Sequence, residues 1–152
     1  MTFTKILLVD DDRNDIDIAL RAIRRENLSI EVSVANDGRE ALDVLGIDGD
    51  GESAAPLVPC AVFVDLKMPR IDGWELLRRL RANACTKNLP VIVLSWSNKR
   101  EDIDRCYALG ANSFLVKHVN PTNPGGYFVE AVRYWVGLNQ AASAPPKTQT
   151  AS

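Results

Sequence analysis

The sequence predicts an α/β fold, a doubly wound parallel sheet with helices on both faces. Three observations carry this. Short apolar runs and amphipathic stretches alternate five times along the chain. Most of the runs are continuously apolar, as strands buried on both faces are. The first, third, fourth and fifth stop at Asp10-Asp11, Asp65, Ser95 and Lys117, polar residues suited to the rim of a sheet. Right-handed crossovers then place helices on both sides.

Taken in order, Thr4 to Val9 is β-branched and apolar, a buried strand ended by Asp10-Asp11-Asp12. Asp12 is placed to cap a helix from about Arg13 to Asn27, with Ile16, Ala19, Leu20 and Ile23 on one face. Ile30 to Ala35 alternates more, as expected nearer a sheet edge, and Asn36-Asp37-Gly38 is a turn. Glu40 to Leu45 form a short helix with Ala41, Leu42 and Leu45 inward. Gly46 to Pro59, rich in Gly, Asp, Ser and Pro, is a loop, long for an α-to-β connection.

Cys60 to Val64 is the third strand and Trp74 to Ala82 the third helix, with Leu76, Leu77 and Leu80 inward. Pro90 to Leu94 is a fourth buried strand. A helix from Lys99 to Leu109 follows, opened by Asn98 and Glu101 in the spacing of a capping box and stopped by Gly110. Asn112 to Val116 is the fifth strand. Asn120 to Gly126 is a Pro/Gly-rich loop, and Tyr127 to Leu138 the last helix. Its residues fall into two apolar stripes, Phe128-Val132-Trp135 and Tyr127-Ala131-Tyr134-Leu138. One stripe suffices for the core, so the second predicts a homodimer contact through the fourth and fifth helices.

The 152 residues fit one domain with a substantial core, here residues 1–140, followed by a disordered tail over 141–152. A net charge of -2 without a basic stripe argues against a nucleic-acid partner. One early Lys5 followed by a short apolar run and three aspartates does not make a secretory signal, and no run approaches membrane-spanning length. Cys60, Cys85 and Cys106 are widely spaced, which fits reduced thiols in a cytoplasmic protein.

A parallel sheet brings all strand ends to one edge, so Asp10, Asp11, Asp65, Ser95 and Lys117 converge. Carboxylates within ~4 Å repel by several kcal/mol at an effective dielectric near 20. A hard divalent cation offsets this, and Mg2+, held by a few carboxylates and keeping several waters, fits best. An incoming phosphoryl oxygen can take one of the remaining positions. Lys117 then neutralises another phosphoryl oxygen, Ser95 donates to one, and Asp65 is the nucleophile that forms an acyl phosphate.

The segments Leu7-Leu8-Val9-Asp10-Asp11 and Val64-Asp65-Leu66-Lys67-Met68-Pro69-Arg70-Ile71-Asp72-Gly73, with Ser95 and Lys117, resemble the receiver domain of bacterial two-component response regulators. The likeness runs over about residues 4 to 138. It implies a flavodoxin-like fold with strand order 2-1-3-4-5, with the ligand site at the strand-order switch. It implies that Asp65 accepts a phosphoryl group from a histidine of a sensor kinase. Asp10, Asp11 and Asp65 would carry Mg2+, with the Lys67 backbone carbonyl as a further ligand. Ser95 and Phe114 occupy the positions of the family's switch pair. Such a domain is a switch rather than an enzyme, and its output is contact with an unidentified downstream protein.

The sequence departs from the family where His118 replaces the usual proline after Lys117, and where Trp96, unusually bulky, stands beside Ser95 and narrows access to the phosphoryl site. The long loop before strand three, the lysine not followed by proline and the terminal Tyr134-Trp135 pair resemble single-domain regulators of bacterial phytochrome kinases.

Blander readings stand beside these. Asp10 to Asp12 alone would be a polar loop with a cap, Asp72 is a helix cap, His118 an exposed loop residue, and Phe114 equally an ordinary core aromatic. Two alternative functions are an aspartate-nucleophile phosphatase of the haloacid dehalogenase kind and a phosphorylation-independent binding module. The first needs an acid two residues after the nucleophile, where Lys67 stands. The intact acids, hydroxyl and lysine argue against the second. A flavin or nucleotide module lacks its glycine-rich phosphate loop here.

Overall fold

The computed structural model describes residues 4–47 and 56–143. In chain order the elements are β1 (Thr4–Val9), α1 (Arg13–Arg25), β2 (Ile30–Ala35), α2 (Gly38–Leu45), β3 (Val62–Asp65), α3 (Gly73–Ala82), β4 (Val91–Ser95), α4 (Arg100–Ala108), β5 (Ser113–Val116) and α5 (Gly126–Val132). A π-helical turn, Arg133–Leu138, continues α5. The strands form one parallel sheet in the order β2-β1-β3-β4-β5, the predicted doubly wound arrangement. Residues 48–55 of the long loop and 144–152 of the expected tail lie outside the described residues; 141–143 are exposed and carry no regular structure.

The sheet separates two apolar layers, because its central strands are buried on both faces. Leu7, Val9, Val62, Val64, Val91 and Val93 face α2, α3 and α4, where Leu42, Leu76, Leu77 and Leu80 close the layer. Ile6, Leu8, Phe63, Ile92 and Leu94 face α1 and α5. There Phe63 meets Phe128 edge to face, with ring centroids 5.2 Å apart. Burying a side chain of this size stabilises by roughly 1.5–3 kcal/mol.

Helix starts follow the side-chain caps. The Asp12 carboxylate accepts from Asn14 and Asp15 N–H groups, and Asp72 accepts from Glu75 N–H, both as read from the sequence. Asp37 does the same for Glu40 N–H, which starts α2 at Gly38, two residues earlier than expected. α1 stops at Arg25, since Asn27 turns into the left-handed region with φ of 52°. Asn112 uses its side-chain oxygen to accept from Val91 N–H at 2.8 Å, so β5 begins one residue later than expected.

The predicted capping box of α4 does not form. Lys99 occupies the cap position and makes no side-chain cap bond. The Ser97 hydroxyl takes over, donating to Asp102 at 2.7 Å and accepting from Lys99 N–H at 3.2 Å. Cys106 is the one fully buried residue of this helix. The two-stripe reading of the last helix also needs correction. Tyr127 is half-buried and Ala131 buried, while Tyr134 and Leu138 stay 48% and 74% exposed on the π-turn. The wider turn resets the angular spacing after Val132, so a single 3.6-residue stripe cannot run through it.

The loop between β3 and α3 is held against both. Gly73 N–H donates to the Leu66 carbonyl at 2.8 Å. A Cβ on Gly73 would lie 2.5 Å from the Asp65 carbonyl oxygen and 2.8 Å from Leu66 Cα, both backbone atoms that cannot swing aside. Gly73→Ala is therefore expected to destabilise the chain by about 3 kcal/mol, read as a lower midpoint in urea. An unchanged midpoint would mean that α3 tolerates a shift away from β3.

Candidate functional site at the carboxyl edge of the sheet

Strand register sets the site. Val9 pairs with Val64, so Asp10 and Asp65, each one residue further, leave the sheet at the same level. Ser95 pairs with Val116, so Lys117 emerges one residue beyond it. The Lys117 N–H is tied to the Ser95 carbonyl at 2.7 Å. Loops following buried strands carry these residues onto a rigid frame, the usual location of ligands in open α/β sheets.

The Lys117 ammonium is 3% exposed and surrounded by acids. It lies 2.8 Å from Asp10 Oδ2, 2.8 Å from Asp15 Oδ2 and 3.4 Å from Asp65 Oδ1. Asp10 turns its other oxygen to the Asp12 N–H at 2.9 Å. Oxygens of Asp10, Asp11 and Asp65 all come within 4.8 Å of one another, with Asp11 on the exposed side. Three hard oxygen donors at this separation fit a small divalent cation, each offering one oxygen.

Burial governs the proton affinities here. It pushes the Asp65 carboxyl up to about 6; Lys117 pulls it back in part, and Asp10 adds to the rise. Burial also raises Asp10, against the opposing pull of Lys117. Burial alone would lower Lys117, but Asp65, Asp10 and Asp15 outweigh it and hold the ammonium charged. Tyr127, at the start of α5, faces the same groups, and burial pushes its phenol up to about 12.

The structure thus brings together Asp10, Asp11, Asp65 and Lys117. Ser95 is buried at the end of β4, where its hydroxyl accepts from Ser97 N–H at 3.0 Å. Phe114 is half-buried and packs on the α2–α4 side of the sheet. Lys67 is exposed in the loop after Asp65. That loop is braced by Arg70, which bonds Asp37 at the start of α2 through Nε at 3.1 Å and adopts a left-handed φ of 64°. Trp74 lies on the α3–α4 side under the Arg105 guanidinium, 4.5 Å from its ring centroid.

Two further residues belong to this region. In the sequence Asp15 reads as one more residue of α1, although its first turn begins beside the Asp10 loop and faces the same edge. Tyr127 reads as part of a contact stripe, and in the structure it is half-buried beside Lys117, Asp15, Asp10 and Asp65. Trp96 is 54% exposed, and its indole N–H donates to Asp15 Oδ2 at 3.0 Å. His118 is exposed, with its ring 5.2 Å from that of Tyr127.

The raised Asp65 fixes the sign of a pH effect. Ionising a carboxyl whose folded value exceeds the unfolded 3.8 costs stability; the cost is absent below about pH 4 and complete above about pH 6. In metal-free protein Asp65→Asn should therefore stabilise the fold at pH 7.5 by up to about 3 kcal/mol, the gain disappearing towards pH 4. Saturating Mg2+ should reverse the order of the two proteins at pH 7.5. Urea midpoints with chelator and with Mg2+ test both statements, and equal midpoints at every pH would contradict them.

The model of the response regulator receiver domain matches residues 6–123. The probable methanogenesis regulatory protein FilR2 of Methanothrix harundinacea is 31% identical over 137 residues, 90% of this chain and 86% of FilR2. The response regulator Rcp1 of Synechocystis is 30% identical over 115 residues, 76% of this chain and 77% of Rcp1. Its Mn2+-bound crystal structure superposes with a TM-score of 0.79 at 26% identity, covering 92% of this chain and 99% of that one. The phosphorylated cyanobacterial phytochrome response regulator RcpA superposes with a TM-score of 0.82 at 29% identity, over 93% of this chain and all of RcpA. With a buried lysine and an acid cluster at the carboxyl edge of a 2-1-3-4-5 sheet, and the family's model matched over most of its length, this chain belongs to the response regulator receiver domains, and its relatives include phytochrome response regulators.

Proposed function

We propose that this protein is a stand-alone phosphorylation switch, accepting a phosphoryl group on Asp65 from a phosphohistidine of a sensor kinase, in the manner of phytochrome signalling. The observation that carries the reading is the placement of Asp65 beside a buried ammonium and within a cluster of three carboxylates. In the transfer an Asp65 oxygen attacks phosphorus while the nitrogen–phosphorus bond of the donor breaks, and the imidazole nitrogen leaves with the electron pair. Lys117 shifts from its carboxylates to a phosphoryl oxygen. Ser95, whose hydroxyl accepts from the Ser97 N–H in the resting loop, donates to another.

Mg2+ fits the acid cluster, with Asp10, Asp11, Asp65 and the Lys67 backbone carbonyl as ligands, and when bound it neutralises the charge that gathers between acids and phosphoryl group. The acyl phosphate adds roughly -1.5 to -2 of charge. Ser95 and Phe114 carry the change to α4 and β5, where a downstream protein reads it. The chain acts as a switch in the cytoplasm, beside the kinase that loads it, and turns over no substrate of its own. Lys67 in the general-acid position disfavours the phosphatase alternative.

A second copy of the chain is the partner we assign to the α4–β5–α5 face. Tyr107, Val116, Tyr134 and Leu138 are large, apolar and 39–74% exposed on these elements. Substitution Leu138→Asp should shift sedimentation towards a monomer and leave the thermal midpoint within a few degrees. Unchanged sedimentation would place the dimer contact elsewhere or remove it.

Intact mass after incubation with Mg2+ and a small-molecule phosphodonor tests the central claim. The wild-type chain should gain one phosphoryl group, and Asp65→Asn none. Omitting Mg2+ should slow labelling by at least about 100-fold, the scale of transition-state charge stabilisation. Labelling that persists in Asp65→Asn would move the acceptor to another residue.

A further inference from the structure

Asp15 stands outside the acid cluster, yet it is the residue that joins the buried lysine to the surface. Its side chain is 11% exposed, and one oxygen, Oδ2, serves two donors. The Lys117 ammonium reaches it at 2.8 Å and the Trp96 indole N–H at 3.0 Å. The ammonium therefore spends its two short contacts on Asp10 and Asp15 and stands further, 3.4 Å, from Asp65. Trp96 follows Ser95 directly in the chain, so the loop that holds the hydroxyl also holds the indole. Together with His118 and Tyr127, Asp15 and Trp96 line a cleft of about 440 Å³ between α1 and the loop after β5.

We propose that Asp15 is a positioning residue for phosphoryl transfer and that with Trp96 it forms a latch. In the resting chain its carboxylate holds Lys117 back from Asp65 and pins the indole across the α1 side of the site. When Lys117 moves to a phosphoryl oxygen, Asp15 loses its ammonium partner, the Ser95–Trp96 loop moves, and the indole is released. This inference rests on the reading of Asp65 as phosphoryl acceptor.

The latch makes two separate demands on an incoming donor. Lys117 must give up a charge-assisted hydrogen bond before it can assist, and such bonds are worth more than neutral ones. The indole must also leave the entrance. Removing the Asp15 charge relieves both demands, and removing the indole N–H relieves the second alone. Because both act through one oxygen, their effects cannot add.

The test compares wild type, Asp15→Asn, Trp96→Phe and the double variant, labelled with phosphoramidate in the presence of Mg2+ and followed by intact mass. In this reaction the Asp65 oxygen–phosphorus bond forms, the phosphorus–nitrogen bond breaks and ammonia leaves. Each single variant should be labelled roughly tenfold faster than wild type, the effect of releasing one hydrogen bond to a charged group. The double variant should be no faster than Asp15→Asn. Trp96→Phe keeps an aromatic ring at an exposed position, removes the N–H and leaves every charge in place, so a general effect of charge would leave its rate at the wild-type value. The indole N–H resonance of Trp96, identified by its loss in Trp96→Phe, should move towards that of a free indole on phosphorylation. Equal or slower rates, additive effects, or a stationary resonance in chain that does become labelled overturn the latch and leave the Asp65 reading intact. No labelling of any of the four proteins overturns the Asp65 reading and the latch with it.

Discussion

A buried ammonium needs anions within reach, and Lys117 meets three of them. The need explains much of the surrounding structure. Asp10 has one oxygen fixed by the Asp12 N–H, so the other can point at the lysine. The end of β5 is tied to the end of β4 through the Ser95 carbonyl, which fixes where the lysine leaves the sheet. Three carboxylates against one ammonium still leave the pocket short of positive charge, and burial raises the cost of ionising Asp10 and Asp65. The acids are therefore held together by one lysine, and their surplus of negative charge suits a second cation. Breaking a buried pair by removing one partner strands the other charge, which makes Lys117 as much a structural residue as a chemical one.

What the sequence made legible follows from the periodicity of strands. A continuous apolar run that stops at a polar residue places that residue at a sheet edge, and Asp10, Asp65, Ser95 and Lys117 were all visible in this way. Helices conceal more. Asp15 sits on the first turn of α1, and whether it points to solvent or to the strand ends depends on the rotation of a helix packed on a sheet. The capping box of α4 does not form because the chain enters the helix at Lys99, with the Ser97 hydroxyl bonding Asp102 and the Lys99 N–H. The last helix failed as a uniform 3.6-residue wheel because its backbone widens into a π-turn after Val132, and no residue type marks such a turn in advance.

The departures from the family pattern meet on one side of the site. His118 stands where proline is usual, and its ring packs near Tyr127. Trp96 replaces a smaller neighbour of the hydroxyl residue and reaches α1 through Asp15. Both residues line one cleft with Asp15 and Tyr127, beside the acid that holds Lys117. The other side of the site, Asp10, Asp11 and Asp65, keeps the acids of the family pattern, and the loop after Asp65 is braced there by Arg70 and Asp37.

The weak anchoring of α4 sets the energy scale on which this helix can be displaced. The helix has a single fully buried side chain, and its cap residue Lys99 makes no side-chain cap bond, so its local opening lies at the low end of the free energies that a folded domain spans. Moving such an element from a minority to a majority state needs a differential interaction of only a few kcal/mol, within the range of one or two charge-assisted hydrogen bonds. A helix with four leucines in the core would have demanded far more than one phosphoryl group can supply.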